Sequence, residues 1–136
     1  MIYGIGCDLC AIARIAKSLS GPHGAAFARR VFGPAERAAL GLDAPQPEPR
    51  GAAHRAASAA ANFAAKEAFL KAAGTGLAGP FALCEIEAVR LPSGQPAYRL
   101  AGRTAAWAAA HRLRAHLSLS HEDGMALACC ILETEP

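Results

Sequence analysis

The chain has 136 residues, of which 53% are hydrophobic and 18% charged, a balance that makes one folded domain and excludes a disordered segment. Its 14 basic and 11 acidic side chains leave a formal charge of +3, and 6% of residues are aromatic, which suits small anionic ligands and speaks against a nucleic-acid partner. No apolar run approaches the ~18 residues that span a bilayer, and the opening MIYGIGCDL lacks the basic flank and cleavage site of a secretory signal, so no membrane partner and a cytoplasmic location are expected.

In chain order, Ile2 to Asp8 alternates isoleucine with glycine, which predicts a buried strand whose glycines admit a close neighbour, with Asp8 at its C-terminal end. Helices are predicted over 11–19 and 25–32, and a third follows Gly33 with Pro34 in its first turn. DAPQPEPRG (Asp43 to Gly51) is the one loop signal, too short to divide two domains. Residues 52–73 form the longest helix candidate, ~33 Å if continuous, closed by Gly74. Strands over 82–91 and 96–100 flank a turn at Pro92 to Gly94. A helix over 103–112 and strands over 115–120 and 125–132 complete the chain. This order predicts a single-domain α+β fold spanning 1–136, with a mainly antiparallel sheet packed on one long helix.

The five cysteines, Cys7, Cys10, Cys84, Cys129 and Cys130, have no second metal-ligand pair at zinc spacing. They are expected to pack as small buried hydrophobes. On the long helix Glu67 and Lys71 lie at i and i+4, a surface ion pair or part of a site. Lys66 continues a ladder through His54, Ser58 and Asn62, a polar stripe expected to adjoin the Glu67 face. Asp8 reads either as a helix N-cap or, if the fold brings it to Glu67, as half of a magnesium site, because that ion takes one or two carboxylates. Gly74-Thr75-Gly76 is either a helix cap or a phosphate contact. Ser118, Ser120 and His121 offer donors to an anion.

Three segments taken in order resemble holo-acyl-carrier-protein synthase, the short trimeric class of 4′-phosphopantetheinyl transferases: GIGCDLCAIARI (Gly4 to Ile15), FAAKEAFLKAAGTG (Phe63 to Gly76) and SLSHE. The resemblance implies transfer of the phosphopantetheine arm of coenzyme A to a serine of an acyl carrier protein, with release of adenosine 3′,5′-bisphosphate. It implies that Asp8 and Glu67 hold Mg²⁺ and that Lys71 stabilises charge on the reacting phosphate. Gly74, Thr75, Gly76, Ser118, Ser120 and His121 would contact coenzyme A, as would the stripe of His54, Ser58, Asn62 and Lys66. Many members carry arginine at the position of Asn62 and an aromatic at that of Ser58, so His54 or Arg55 is expected to compensate on the nucleotide face. Arg14, Arg29 and Arg30 would steer an acidic carrier protein.

Two further readings are a coenzyme A or nucleotide-binding module without catalysis, and a structural oligomerisation domain. Release of adenosine 3′,5′-bisphosphate discriminates the enzyme from both. The resemblance, with the apolar strand MALACCIL in need of cover, predicts a homotrimer with interfacial active sites.

Overall fold

The computed structural model describes residues 1–45 and 48–136. Its elements are β1 (Ile2–Ala11), α1 (Ile12–Ser20), α2 (Gly24–Val31), α3 (Pro34–Leu40), α4 (Pro49–Ala73), β2 (Ile86–Arg90), β3 (Pro96–Leu100), α5 (Gly102–Ala110), β4 (Leu113–Glu122) and β5 (Met125–Thr134). The expected α+β architecture stands, with the strands in two antiparallel sheets: β1-β5-β4 and the hairpin β2-β3. The predicted strand over 82–91 is shorter because Leu83–Glu85 forms a 3-10 turn. Of the predicted loop at 43–51, Gln46 and Pro47 lie outside the described residues, and the last part already belongs to α4. Pro49 starts that helix where its missing N–H is harmless, and Gly74 ends it at φ 81°, a left-handed cap.

Helix α4 packs on β1 and β5 and also touches α1, α3, β2 and β4. It is buried on almost every side, and Phe63, Phe69 and Leu70 join Phe32, Ile86 and Leu132 in the core. Two glycines of β1 set the approach. A Cβ added at Gly4 would fall on the Ala72 carbonyl oxygen, and one at Gly6 on that of Ala68. The sequence reading of these glycines as places of close approach therefore holds, and the neighbour they admit is the backbone of α4.

Parity along the strands sorts the sheet's two faces. Register joins Gly6 to Cys130, Asp8 to Ala128 and Cys10 to Ala126. It also joins Leu117 to Cys130, Leu119 to Ala128 and His121 to Ala126. Cys10, Leu117, Ala126, Ala128 and Cys130 are buried, so these positions form the face turned to α4. The opposite face carries Ile5, Leu9 and Leu127 exposed. Of the cysteines, Cys10 and Cys130 pack as expected, whereas Cys7 is exposed on that outer face.

Candidate active site

Asp8 stands within β1, opposite Ala128 and three residues before the strand's end. It is no helix cap, since Ala11 precedes α1 and makes no side-chain cap bond. The expectation that Asp8 lies at the strand's end is thus corrected, while its meeting with α4 is found. Lys71 donates to Asp8 Oδ1 at 3.0 Å and to the Cys7 carbonyl oxygen at 2.9 Å. Glu67, one turn earlier, does not pair with Lys71; the ion pair runs instead between helix and strand.

Glu67 has its carboxyl pushed above the ordinary glutamate range, chiefly by burial and then by the negative charge of Asp8, against the lowering effect of Arg14 and Lys71. Two carboxylates that repel one another at a half-buried site are a ready receptor for a cation. Their oxygens are the hard donors that magnesium prefers. Among the described residues no group of three His, Cys, Asp or Glu gathers to hold a metal, so a metal here would take its remaining ligands from water and substrate phosphate. Arg14 is held with its guanidinium 5.3 Å from the ring centre of Phe63, one helical turn before Glu67, and its charge acts on the Glu67 carboxyl. Arg29 and Arg30 are exposed in the last turn of α2.

The polar stripe behaves otherwise. Lys66 is fully buried, donating to Glu36 Oε1, to the Ile86 carbonyl at 2.6 Å and to the Leu83 carbonyl at 3.1 Å. Asn62 donates from Nδ2 to Glu36 Oε2 and to the Ala88 carbonyl, each at 3.0 Å. Glu36 also accepts the Gly33 and Ala88 amides at 3.1 Å each. Burial pushes the Glu36 carboxyl up and the Lys66 ammonium down, while their mutual attraction opposes both shifts. A carboxylate accepting from all sides and an ammonium donating on all sides form a fully satisfied pair. Lys66 and Asn62, expected to contact coenzyme A, are both engaged here in a network joining α4 to α3 and β2.

The stripe also does not adjoin the Glu67 face. Nine residues separate Ser58 from Glu67, which at 3.6 residues per turn places them roughly half a turn apart around the helix and ~14 Å apart along it. His54, Arg55 and Ser58 line a groove of about 310 Å³ with Leu40 and Gly41, where Arg55 donates to the Gly41 carbonyl at 3.0 Å. Ser58 and Asn62 also border a cavity of about 360 Å³ with Val89 and Arg90. Gly74, Thr75 and Gly76 are exposed just past α4. Ser118 and Ser120 pair with Cys129 and Leu127 on the outer face, whereas His121 lies on the face of Asp8. One protomer thus unites Asp8, Glu67, Lys71 and Arg14, and leaves the two serines on the other side of the sheet. Glu36 is the residue that sequence reasoning missed; its signal was GPAE, an acid three residues after the helix cap.

The 4′-phosphopantetheinyl transferase superfamily model matches residues 4–130. The chain is 47% identical to a holo-[acyl-carrier-protein] synthase of Methylobacterium radiotolerans, over 100% of this chain and 96% of that one. It is 42% identical to a synthase of the same name from Leptothrix cholodnii, over 99% and 98% of the two chains. The fold is similar to a holo-(acyl-carrier-protein) synthase structure from Bacillus anthracis in complex with CoA (3′,5′-ADP), at TM-score 0.76 and 29% identity over 99% of each chain. Full-length similarity in sequence and fold, around a carboxylate pair and lysine set where the glycines of β1 meet α4, places this chain in the holo-[acyl-carrier-protein] synthase family of 4′-phosphopantetheinyl transferases.

Proposed function

We propose that the chain transfers the 4′-phosphopantetheine group of coenzyme A to a serine hydroxyl of an apo acyl carrier protein and releases adenosine 3′,5′-bisphosphate. The observation that carries this reading is the convergence of Asp8, Glu67 and Lys71 across the β1–α4 contact in a chain similar over its whole length to synthases of that name. The serine oxygen gives up its proton to solvent water and forms a bond to the phosphorus on the pantetheine side of the pyrophosphate. The bond from that phosphorus to the bridging oxygen breaks, and the electron pair leaves on the adenosine 5′-phosphate.

Asp8 and Glu67 would hold Mg²⁺, which when bound supplies Lewis-acid neutralisation of the pyrophosphate. Lys71, exposed at the end of a flexible stem, places its ammonium against charge growing on the leaving phosphate. Thr75 and the amide of Gly76 lie just past the end of α4 and can bind a phosphate edge, while the Gly74 amide caps the helix by donating to the Leu70 and Lys71 carbonyls. Arg14, and Arg29 and Arg30 on α2, meet an acidic carrier protein, their long side chains steering its approach.

The working form is a homotrimer with active sites between protomers. Two features support it. The outer sheet face exposes Ile5, Leu9 and Leu127, and three-fold closure would cover it. Ser118 and Ser120 point from that same face, away from their own Asp8, and so toward a neighbouring protomer's ligand. His121 completes that segment, and His54, Arg55 and Ser58 offer the groove for the nucleotide end. Among the described residues no helix is long and apolar enough to cross a membrane, in keeping with a cytoplasmic enzyme of lipid biosynthesis. The test is adenosine 3′,5′-bisphosphate release from coenzyme A. It is expected only when apo carrier protein and Mg²⁺ are both present; tight coenzyme A binding without release would leave a binding module instead.

A further inference from the structure

The Lys71 ammonium rests on one carboxylate oxygen, Asp8 Oδ1 at 3.0 Å, and one backbone oxygen, that of Cys7 at 2.9 Å. These are hard oxygen donors of the kind a divalent cation takes. The two partners differ in freedom. The Asp8 side chain is 18% exposed and the Lys71 side chain 55%, so the anion is withdrawn into the β1–α4 seam while the cation reaches it from solvent. Glu67 stands close enough for its charge to act on both. It is nevertheless passed over by the lysine that shares its helix face, although i,i+4 pairing is the easier contact. Lys71 therefore sits where the anionic field of the carboxylate pair and the Cys7 carbonyl combine.

We propose that Lys71 is a resident counter-ion at Asp8, displaced when a divalent cation binds, so that metal loading and release of the ammonium toward a substrate phosphate are one exchange. The inference rests on the transferase reading of the site. Two cations cannot share one carboxylate oxygen at such distances without strong repulsion. Lys71 can yield, because its four-carbon stem turns freely beside the α4 terminus. Until then the ammonium offsets the repulsion between Asp8 and Glu67. The exchange couples two ligands: a phosphate that accepts the freed ammonium tightens the metal, and the metal tightens the phosphate by the same factor.

The test is Mn²⁺ binding to the full chain, read from the free-ion signal in electron paramagnetic resonance without coenzyme A. Lys71→Met and Lys71→Gln should each bind Mn²⁺ up to about fivefold more tightly than the wild type, the scale set by loss of one exposed ion pair. Lys71→Arg, which keeps the charge, should stay within about twofold of it. Added inorganic pyrophosphate should tighten Mn²⁺ binding more in the wild type than in Lys71→Met. Unchanged or weaker Mn²⁺ binding in both neutral variants overturns the exchange. Bisphosphate release by the wild type, measured in parallel, separates the two claims. Release without tightening sinks the exchange alone, and tightening without release sinks the transferase reading alone.

Discussion

Asp8 and Glu67 are polar groups at the edge of the core, and neither joins the buried network around Lys66. Replacing each by alanine is expected to lower turnover by about a hundredfold or more with an unchanged far-ultraviolet circular dichroism spectrum; unfolding of Glu67→Ala would instead make it a structural residue. Lys71→Ala should reduce kcat much more than it raises KM, as fits a group acting mainly in the transition state. Glu67 also predicts a pH effect. Its folded-state carboxyl is raised, so between its ordinary and its raised value the folded chain binds more protons than the unfolded one, and stability falls as pH rises through that window. Without metal, Glu67→Gln should therefore melt about 1–2 °C above the wild type at neutral pH, a small gain because the group is partly exposed. The difference should vanish on acidification below the ordinary glutamate range. Much of this scale was legible in the sequence, because the carboxylates and Lys71 stand in motifs with fixed spacing. The inward turn of Asn62 and Lys66 was not: with alanine on all sides of α4, nothing in its pattern marks which side is buried.

Between β1 and α4 the decisive dimension is a single methyl group. Gly4→Ala and Gly6→Ala would each drive a Cβ into a helix carbonyl, and are expected to destabilise the fold by about 1–3 kcal/mol or more. Urea unfolding checks this, with lost activity accompanying the lost stability because the same contact sets Asp8 against Lys71. Lys66→Met, which leaves Glu36 buried without its cation, should cost about 3–5 kcal/mol. A near-neutral result would show that Glu36 tolerates burial alone. The glycine alternation of β1 announced a close neighbour, yet which neighbour depended on a contact across more than sixty residues of chain. The period-two rule applied to LSLSH separates the outward serines from His121, a distinction that reading the segment as one donor cluster passes over.

At the scale of the molecule, one protomer leaves an apolar sheet face open and keeps Ser118 and Ser120 apart from Asp8. Assembly would resolve both features. If the proposed trimer forms, Leu9→Glu is expected to sediment as a monomer where the wild type sediments as a trimer, with the protomer folded and turnover greatly reduced; full activity in a monomer would refute interfacial sites. The element order and the antiparallel pairing were readable from patterning and turns, whereas the division into two sheets was not, since it follows from which strands share the surface of α4. The central claim is that this β1–α4 seam transfers phosphopantetheine. The most direct measurement is the intact mass of an apo acyl carrier protein incubated with coenzyme A, Mg²⁺ and either the wild type or Asp8→Ala. The account predicts that the wild type adds one phosphopantetheine to the carrier serine and that Asp8→Ala leaves the mass unchanged over the same interval. An unmodified carrier with the folded wild type, or equal modification by Asp8→Ala, would contradict it.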